Sequence, residues 1–272
     1  MFKKITVFAS LALSLSLLVS TAHSDEITLH VPIIDDSPQL HFFFHELLNT
    51  AIKEVGHTPK LIPKKLPQLR IKKSMDQGKI SIYWSLETNE ANKQYIPIEI
   101  GLTGGLIGKR VLFIKKGDQH LYDGVKNLDD FRSLNLVAGM GHEWFDVNIW
   151  KENNLKYKES SGNWESIFKM IPYGRDYNYI SRGVNEIIAE KKQYPKLEIE
   201  NRLVLIFDCD LRFYLSKTGV NAGAKYQDVI ELAIKNAKES GLIDRLVKKY
   251  WANNFKALNY DKRIKIHLQM PE

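Results

Sequence analysis

Cysteine is nearly absent from the chain: Cys209 is the one thiol among 272 residues. A single thiol forms no intramolecular disulfide, so the stability of the fold must come from a packed core, even in an oxidising compartment. No partner for nucleophilic catalysis stands near Cys209 in the sequence, and we expect a small buried side chain there. The Gly-x-Ser-x-Gly, His-Glu-x-x-His and phosphate-loop motifs are also absent, so the sequence carries no sign of the enzymes that use them.

Beyond residue 24 the chain also lacks a long apolar run. Before it, two lysines precede an uncharged stretch over residues 5–20, and small residues stand at Ala22 and Ser24. This pattern is typical of a secretory signal peptide, because the apolar part is too short and too rich in serine for a stable bilayer anchor. A retained anchor is the alternative. We predict a signal peptide over residues 1–24, cleaved after Ala22 or Ser24, and a mature protein in the periplasm.

The positive charge of the chain is spread rather than concentrated. The formal net charge is +7 at pH 7, and two of these charges belong to the predicted signal peptide. Lysine pairs stand among acidic and apolar residues, without the interleaved aromatic residues of a nucleic-acid groove. We therefore predict solvated helix faces and no nucleic-acid partner. We also predict no cofactor, and we expect a monomer. A basic balance also favours anionic small solutes through long-range steering.

Predicted strands and helices alternate along the mature chain in two series. The first series has strands at 27–31, 60–62 and 80–84, with amphipathic helices over 40–55 and 66–75 between them. The second series has strands at 109–114, 134–138, 155–157, 177–180, 203–207 and 212–216, and two helices over 226–239 and 242–251 close the chain. Such alternation predicts an α/β fold with mainly parallel sheets flanked by helices.

Several short motifs, each present once, follow one another in a recognisable order over nearly the whole mature chain. They are Gly78-Lys-Ile-Ser-Ile82, Gly108-Lys-Arg-Val-Leu-Phe-Ile114, the turn Gly139-Met-Gly-His142, Met170-Ile-Pro-Tyr-Gly-Arg-Asp176, and Ser240-Gly-Leu-Ile-Asp244 with Lys249-Tyr-Trp251. In order and spacing the chain resembles the periplasmic solute-binding proteins of bacterial ABC importers, in solute-binding family 3 with the type 2 periplasmic-binding fold.

The resemblance implies two lobes joined by two crossover strands. The first lobe would contain residues 25–109 and 217–272, and the second residues 110–216. A small-molecule solute would lie in the cleft, and lobe closure would present it to a membrane ABC permease or, as the alternative, to an envelope sensor protein. We predict such a non-catalytic receptor. A secreted enzyme on the same scaffold, with Glu87 or Glu186 and His142 in acid-base roles, is the other alternative.

The first lobe offers four candidate ligand residues. Asp36 follows the first strand, although its turn is also an ordinary helix cap. Trp84, Glu87 and Thr88 follow the third strand, where the family places the cleft rim, and a core role for Trp84 is the alternative. Amino acid binders carry an arginine shortly after the threonine. That arginine is missing here, and Lys93 lacks the bidentate fork that would grip a ligand carboxylate.

The second lobe offers five more candidate ligand residues. Gly141, His142 and Trp144 belong to a turn that opens a helix, where free backbone N–H groups favour an anion, unless the glycines serve only the turn. Tyr179 and Arg182 lie on the next predicted strand. Arg182 stands where amino acid binders often hold an aspartate, which suggests a ligand with negative charge or several acceptors. A pairing of Arg182 with Glu186 is the alternative.

Two histidines of the first predicted helix have the spacing of a metal face. His41 and His45 lie four residues apart, but the sequence shows no third ligand near them. A zinc site needs three or four ligands. We therefore predict no metal site.

Overall fold

The computed structural model describes residues 25–34, 38–160 and 162–271. The predicted signal peptide and the predicted ligand residue Asp36 lie outside these ranges. Within them, no helix combines the length and the apolar character that crossing a bilayer requires. Cys209 is buried, as the sequence predicts, so the described core includes the thiol as a small apolar group.

The first part of the chain alternates strands and helices. Its elements are β1 (Glu26–Ile34), α1 (Pro38–Glu54), β2 (Thr58–Leu66), α2 (Gln68–Asp76), β3 (Ile82–Leu86), α3 (Asn89–Gln94) and β4 (Ile96–Pro97). The predicted amphipathic helix is present as α1, which buries Phe43, Leu47 and Ala51 while Phe42 is 49% exposed. The spacing of these residues places the buried ones on a single helix face.

The remaining elements follow in a second alternating series and a closing pair of helices. They are β5 (Lys109–Lys115), α4 (Leu128–Ser133), β6 (Ala138–Gly141), α5 (Phe145–Glu152), β7 (Tyr157–Ser160), α6 (Ser166–Met170), β8 (Tyr179–Gly183), α7 (Ile187–Gln193), β9 (Leu197–Ile199), β10 (Leu203–Ile206), β11 (Leu211–Leu215), α8 (Gln227–Glu239), α9 (Leu242–Ala257) and β12 (Ile264–His267). The predicted strands at 134–138 and 177–180 lie two to four residues later in the structure, as β6 and β8.

In the first part of the chain, β1 and β2 form a two-stranded sheet, and β3, β11 and β4 form a three-stranded sheet with β11 in the middle. The two lie side by side through β1 and β3 and are together called the first sheet. β1 and β2 are parallel along nine residues, and β11 runs antiparallel to both β3 and β4. Two hydrogen bonds connect β1 to Ser81, the residue before β3: Ser81 N donates to His30 O at 2.8 Å, and His30 N donates to Ser81 Oγ at 2.9 Å. α1 packs against α8, α9 and both strands β1 and β2.

The second sheet has the order β7, β6, β8, β5, β10, β12, with β9 paired beside β5. β6 is parallel to β7 and β8, whereas β5 runs antiparallel to β8 and β10. Each sheet therefore contains an antiparallel strand that comes from a distant part of the chain: β11 in the first sheet and β5 in the second. Below, each sheet and the helices around it are called a half of the protein.

The chain passes between the two sheets at three places. The chain leaves the first sheet after β4 and enters the second at β5, and it returns from β10 to β11. The third passage connects α9 to β12, which pairs in parallel with β10. The predicted lobe boundaries group residues 211–216 with the second lobe and 217–272 with the first, and they stay a prediction. Sheet membership differs from these boundaries for two strands: β11 belongs to the first sheet and β12 to the second. An alternating pattern indicates a strand without indicating its partner.

The C-terminal segment, Leu258 to Leu268, is held on the second half by buried polar contacts. Arg263 is 6% exposed; its Nε donates to Leu258 O at 2.7 Å, and its Nη1 donates to Glu200 O at 2.6 Å and Leu203 O at 2.8 Å. The fully buried carboxylate of Glu200 lies 3.6 Å from Arg263 Nη1. A buried charge of this kind persists only when its hydrogen-bonding groups are paired, so this contact fixes the entry to β12.

Candidate functional site

The turn between β6 and α5 is built around a close approach of an indole ring. A Cβ atom on Gly141 would lie 2.2 Å from Trp144 Nε1, so only glycine allows Trp144 to pack there. α5 begins at Phe145, and Glu143 has a left-handed backbone with φ of 58°. These facts support the interpretation in which Gly141 serves the packing of the turn rather than the binding of an anion.

The protein's own carboxylate occupies the predicted anion position at this turn. Glu143 N donates to Glu159 Oε2 at 3.2 Å, and His142 Nδ1 lies 2.9 Å from the same oxygen. The hydrogen bond from Glu143 N, followed by the contact with His142, lowers the pKa of Glu159. His142 remains exposed, and its other ring nitrogen faces Glu143 at 3.7 Å.

Arg182 packs against two neighbouring indole rings and forms ion pairs with two glutamates. Its guanidinium carbon is 5.5 Å from the ring centroid of Trp144 and 5.0 Å from that of Trp164. Arg182 Nε lies 2.9 Å from both carboxylate oxygens of Glu190, and Nη2 lies 2.5 Å from Glu190 Oε1 and 3.2 Å from Glu186 Oε2. The predicted pairing with Glu186 is present, but the stronger partner is Glu190, which sequence spacing did not indicate.

A second arginine extends this cluster toward the start of β5. Arg110 Nη2 donates to Asp146 Oδ1 at 2.9 Å, and Arg110 Nη1 lies 3.9 Å from Glu186 Oε2. We call these five residues the ion network: Arg110, Asp146, Arg182, Glu186 and Glu190. Burial alone would raise the pKa of Glu186, but the positive charges of Arg182 and Arg110 lower it below its ordinary value. With all groups ionised, three carboxylates outnumber two guanidinium groups.

Two buried polar atoms beside the ion network have no hydrogen-bond partner among the described residues. They are Arg110 Nε and Asn185 Oδ1. Asn185, Glu186 and Arg110 also surround Gly183 at the end of β8, where an added Cβ would lie 2.4 Å from Asn185 Oδ1. Ligands in α/β folds lie at the carboxyl ends of strands, and this donor and acceptor stand at such an end.

Tyr179 lies in the core of the second half rather than beside Arg182. Its ring is 1% exposed, and its hydroxyl accepts a hydrogen bond from Trp150 Nε1 at 2.9 Å. Burial raises the pKa of Tyr179. Because Tyr179 and Arg182 stand at opposite ends of β8, about 10 Å apart along the strand, we leave Tyr179 out of the site proposed below.

In the first half, two of the predicted ligand residues have partners within the protein. Trp84 is 4% exposed and stacks on Phe44 with a centroid distance of 4.4 Å, which supports the core interpretation. Glu87 pairs with Arg212 at 2.8 Å and accepts a hydrogen bond from Asn92 Nδ2 at 3.1 Å. Trp84 is therefore not available to a ligand, and both contacts of Glu87 are made by its Oε1 atom.

Thr88 caps α3 and borders a cavity. Its Oγ1 accepts a hydrogen bond from Ala91 N at 3.0 Å, which satisfies one of the unpaired N–H groups at the start of the helix. The cavity beside Thr88 has a volume of about 270 Å³. α3 carries Ala91 and Lys93, and no arginine stands between Thr88 and Tyr95.

His41 is a buried polar group at the edge of the first half. It is 0% exposed, and neither ring nitrogen has a partner in the part of the chain that the structure describes. Burial, with a smaller contribution from His45, lowers the pKa of His41 to about 4. His45 Nε2 lies 3.1 Å from Pro32 O. The described residues contain no group of three histidine, cysteine, aspartate or glutamate side chains able to hold a metal ion.

Comparison with known proteins gives a clear answer for the fold. No protein-family model and no curated protein sequence matches the chain. Among solved structures, an ancestral arginine-binding protein bound to arginine matches with 19% identity and a TM-score of 0.52, over 82% of this chain and 98% of that one. The chain has the fold of amino acid-binding substrate-binding proteins. The predicted α/β two-lobe fold is confirmed.

Two further structures show what this fold carries elsewhere. An amino acid ABC transporter substrate-binding protein from Streptococcus pneumoniae, bound to L-arginine, matches with 15% identity and a TM-score of 0.52, over 84% of this chain and 95% of that one. An ancestral amino acid-binding protein described as a precursor of cyclohexadienyl dehydratase matches with 17% identity and a TM-score of 0.51, over 82% and 95%. The fold of substrate-binding proteins thus also occurs in the ancestry of an enzyme.

Proposed function

We propose that the protein is a non-catalytic periplasmic receptor, which captures a small polar solute between its two halves and delivers it to an ABC permease. The observation that carries this proposal is the match to substrate-binding proteins over 95–98% of their length. The ion network and its unpaired atoms stand at the end of β8, and Thr88 follows the end of β3. Both positions fit the general rule that ligands lie outside the carboxyl ends of strands.

The mechanism follows from two halves that contact one solute. A solute that touches both halves only when they are closed binds the closed state more tightly than the open one. It therefore increases the closed population in proportion to that difference in affinity. The permease would then distinguish loaded from empty receptor by shape.

The site does not support the anionic ligand that Arg182 suggested from sequence. Its guanidinium is paired with Glu190 and Glu186, and the ion network holds more carboxylates than guanidinium groups. The first half also lacks the arginine with which amino acid binders clamp a carboxylate. We therefore propose a polar solute that is uncharged or cationic, recognised in part by Arg110 Nε and Asn185 Oδ1.

Catalysis is not part of the proposal, because the candidate acid-base groups are engaged elsewhere. Glu87 pairs with Arg212, Glu186 with Arg182, and His142 contacts Glu159. A general base must reach the proton that it abstracts in a bound substrate. Release of a chemically altered solute from the purified protein would contradict this part of the proposal.

Calorimetric titration and thermal melting against neutral, cationic and anionic solutes test the receptor function. Binding at a hundred times the dissociation constant stabilises a protein by about 2.7 kcal/mol, which a melting curve resolves easily. We expect one uncharged or cationic class to bind and to reduce the radius of gyration in X-ray scattering. Folded protein that binds no member of the panel would overturn the proposal.

The matched variants for this test are Asn185→Ala and Asn201→Ala. The unpaired oxygen of Asn185 is buried beside the ion network, whereas Asn201 is exposed two residues before β10. We expect the first change to weaken solute binding at least fivefold, as loss of a hydrogen bond does, and the second to leave binding unchanged.

A further inference from the structure

A cavity lies on the face of the first sheet opposite α1. Tyr83 and Ser85 line it, and Trp84 between them points to the other face, where it stacks on Phe44 of α1. α2 and α3 form the side walls, and Tyr214 of β11 continues the floor. All these elements belong to the first half. A molecule in this cavity would therefore contact one half alone.

The hydroxyl groups around the cavity divide into engaged and available ones. Tyr95 donates to Asp76 Oδ1 at 2.7 Å, and Tyr214 donates to Asn92 Oδ1 at 2.9 Å. The hydroxyls of Tyr83 and Ser85 have no hydrogen-bond partner among the described residues. Burial raises the pKa of Tyr83, so its phenol stays protonated and can donate as well as accept.

Part of the cavity wall is apolar and aromatic. Ile71, Met75 and Ala91 face it together with the rings of Tyr83 and Tyr214. Flat aromatic side chains of this kind pack well against a planar ring. The volume of about 270 Å³ lies just below the range of about 300–1,000 Å³ that holds drug-sized ligands, so it suits a single small ring.

The cavity offers no net charge to a ligand. The charged side chains that line it, Lys72 and Glu90, form an ion pair with each other. An ionised ligand would have to give up hydration without gaining a free counter-charge. An uncharged ligand with a hydrogen-bonding group avoids this cost.

From these observations we propose that the cavity is a second ligand site, which takes a small uncharged ring molecule bearing one polar group. The ring packs between the tyrosines and Met75, and the polar group bonds to the hydroxyls of Tyr83 and Ser85. Because the first half holds this ligand alone, occupation of the site does not require the two halves to close. The site adjoins the proposed cleft at Thr88 and is independent of it.

Three probes with one ring and different charge test the proposal: benzamide, benzoate and benzamidine. We expect saturable binding of benzamide to the full mature chain in ligand-observed NMR, with benzoate and benzamidine at least tenfold weaker. X-ray scattering at saturating benzamide should show no change in the radius of gyration. Equal binding of the three probes, compaction on binding, or no saturable benzamide binding would each overturn the proposal.

Variants locate the bound probe. Ala91→Leu fills the cavity and should abolish benzamide binding, whereas Ala252→Leu changes an exposed alanine of α9 and should not. Ser85→Ala and Tyr83→Phe should each weaken binding between twofold and tenfold, which keeps the test valid if Ala91→Leu folds poorly. Binding that is insensitive to all three cavity variants overturns the second site. The solute panel tests the receptor function separately, so either proposal can fail alone.

Discussion

Arg182 and Glu190 form a two-point ion pair within the second half: both Nε and Nη2 of the guanidinium contact the carboxylate, and the two side chains are 13% and 17% exposed. Eight residues separate them in the chain, so β8 and α7 bring them together. The neighbouring indole rings of Trp144 and Trp164, with centroids 5.1 Å apart, cover the guanidinium and limit the access of water to the pair, and this strengthens the attraction. This ion pair belongs to the candidate site, and we expect it to stabilise the fold as well.

Glu190→Gln should lower the free energy of unfolding by about 2 kcal/mol, because it leaves a nearly buried guanidinium with one fewer counter-charge. Urea denaturation measures this change. Glu239→Gln, at the exposed end of α8, is the matched control and should have little effect. Equal midpoints for the two variants would show that the pair does not stabilise the fold.

His41 should make the protein less stable as the pH falls. Its pKa is about 4 in the folded state and about 6.5 when exposed, so the unfolded state binds the extra proton between these values. Stability is therefore retained above pH 6.5 and decreases toward pH 4, with a loss of about 2 kcal/mol between pH 7 and pH 5. Denaturation curves at a series of pH values measure it.

The variant for this test is His41→Leu, which should reduce the slope of stability against pH. Burial also lowers the pKa of His45, so part of the slope should remain. His267→Asn alters an exposed histidine of β12 and should keep the wild-type slope. A His41→Leu slope equal to that of the wild type would contradict the assignment.

Arg263→Met should cost about 3–5 kcal/mol of stability, since it removes the counter-charge of the buried Glu200 carboxylate and the side-chain donor of three backbone carbonyls. Chemical denaturation gives the value. Lys262→Met changes the exposed neighbour in the same segment and serves as the control. Similar losses in both variants would mean that the guanidinium contacts contribute little.

Cys209 should resist alkylation in the native protein. Burial raises the pKa of its thiol to about 12, so on the order of one thiol in ten thousand is ionised at pH 8. Iodoacetamide labelling followed by mass spectrometry should be slow in buffer and fast in urea. Val220→Cys places a thiol at a 94% exposed position and should label at once in the native state. Rapid native labelling of Cys209 would refute the burial argument.

Local patterns predicted most of the helices and strands but not their partners. The three- and four-residue spacing of apolar residues predicted a helix over 40–55, and α1 spans Pro38–Glu54. Residues 264–268 also alternate between apolar and polar side chains, yet no strand was predicted there. That strand pairs with β10, about sixty residues earlier, and a short pattern after two helices carries no information about such a distant partner.

For the candidate site, too, the sequence predicted local contacts but not contacts between distant segments. An i,i+4 spacing identified Glu186 as a possible partner of Arg182, and the structure contains that contact. Glu190 and Arg110 joined the ion network through the packing of α7 and β5 against β8, which no spacing rule encodes. Whether Trp84 lies in the core or contacts a ligand depended on which face of β3 meets α1. Tertiary packing decides this, and the local sequence does not.

The passage from α9 to β12 limits how far the two halves can separate. α9 packs on α1 in the first half, and β12 is hydrogen-bonded into the second sheet, with only the six residues from Leu258 to Arg263 between them. Six residues span at most about 20 Å when fully stretched. A movement that brings the halves together would not stretch this tether, whereas wide opening would have to extend the turn at Tyr260–Lys262 and would pull on the contact between Arg263 and Glu200.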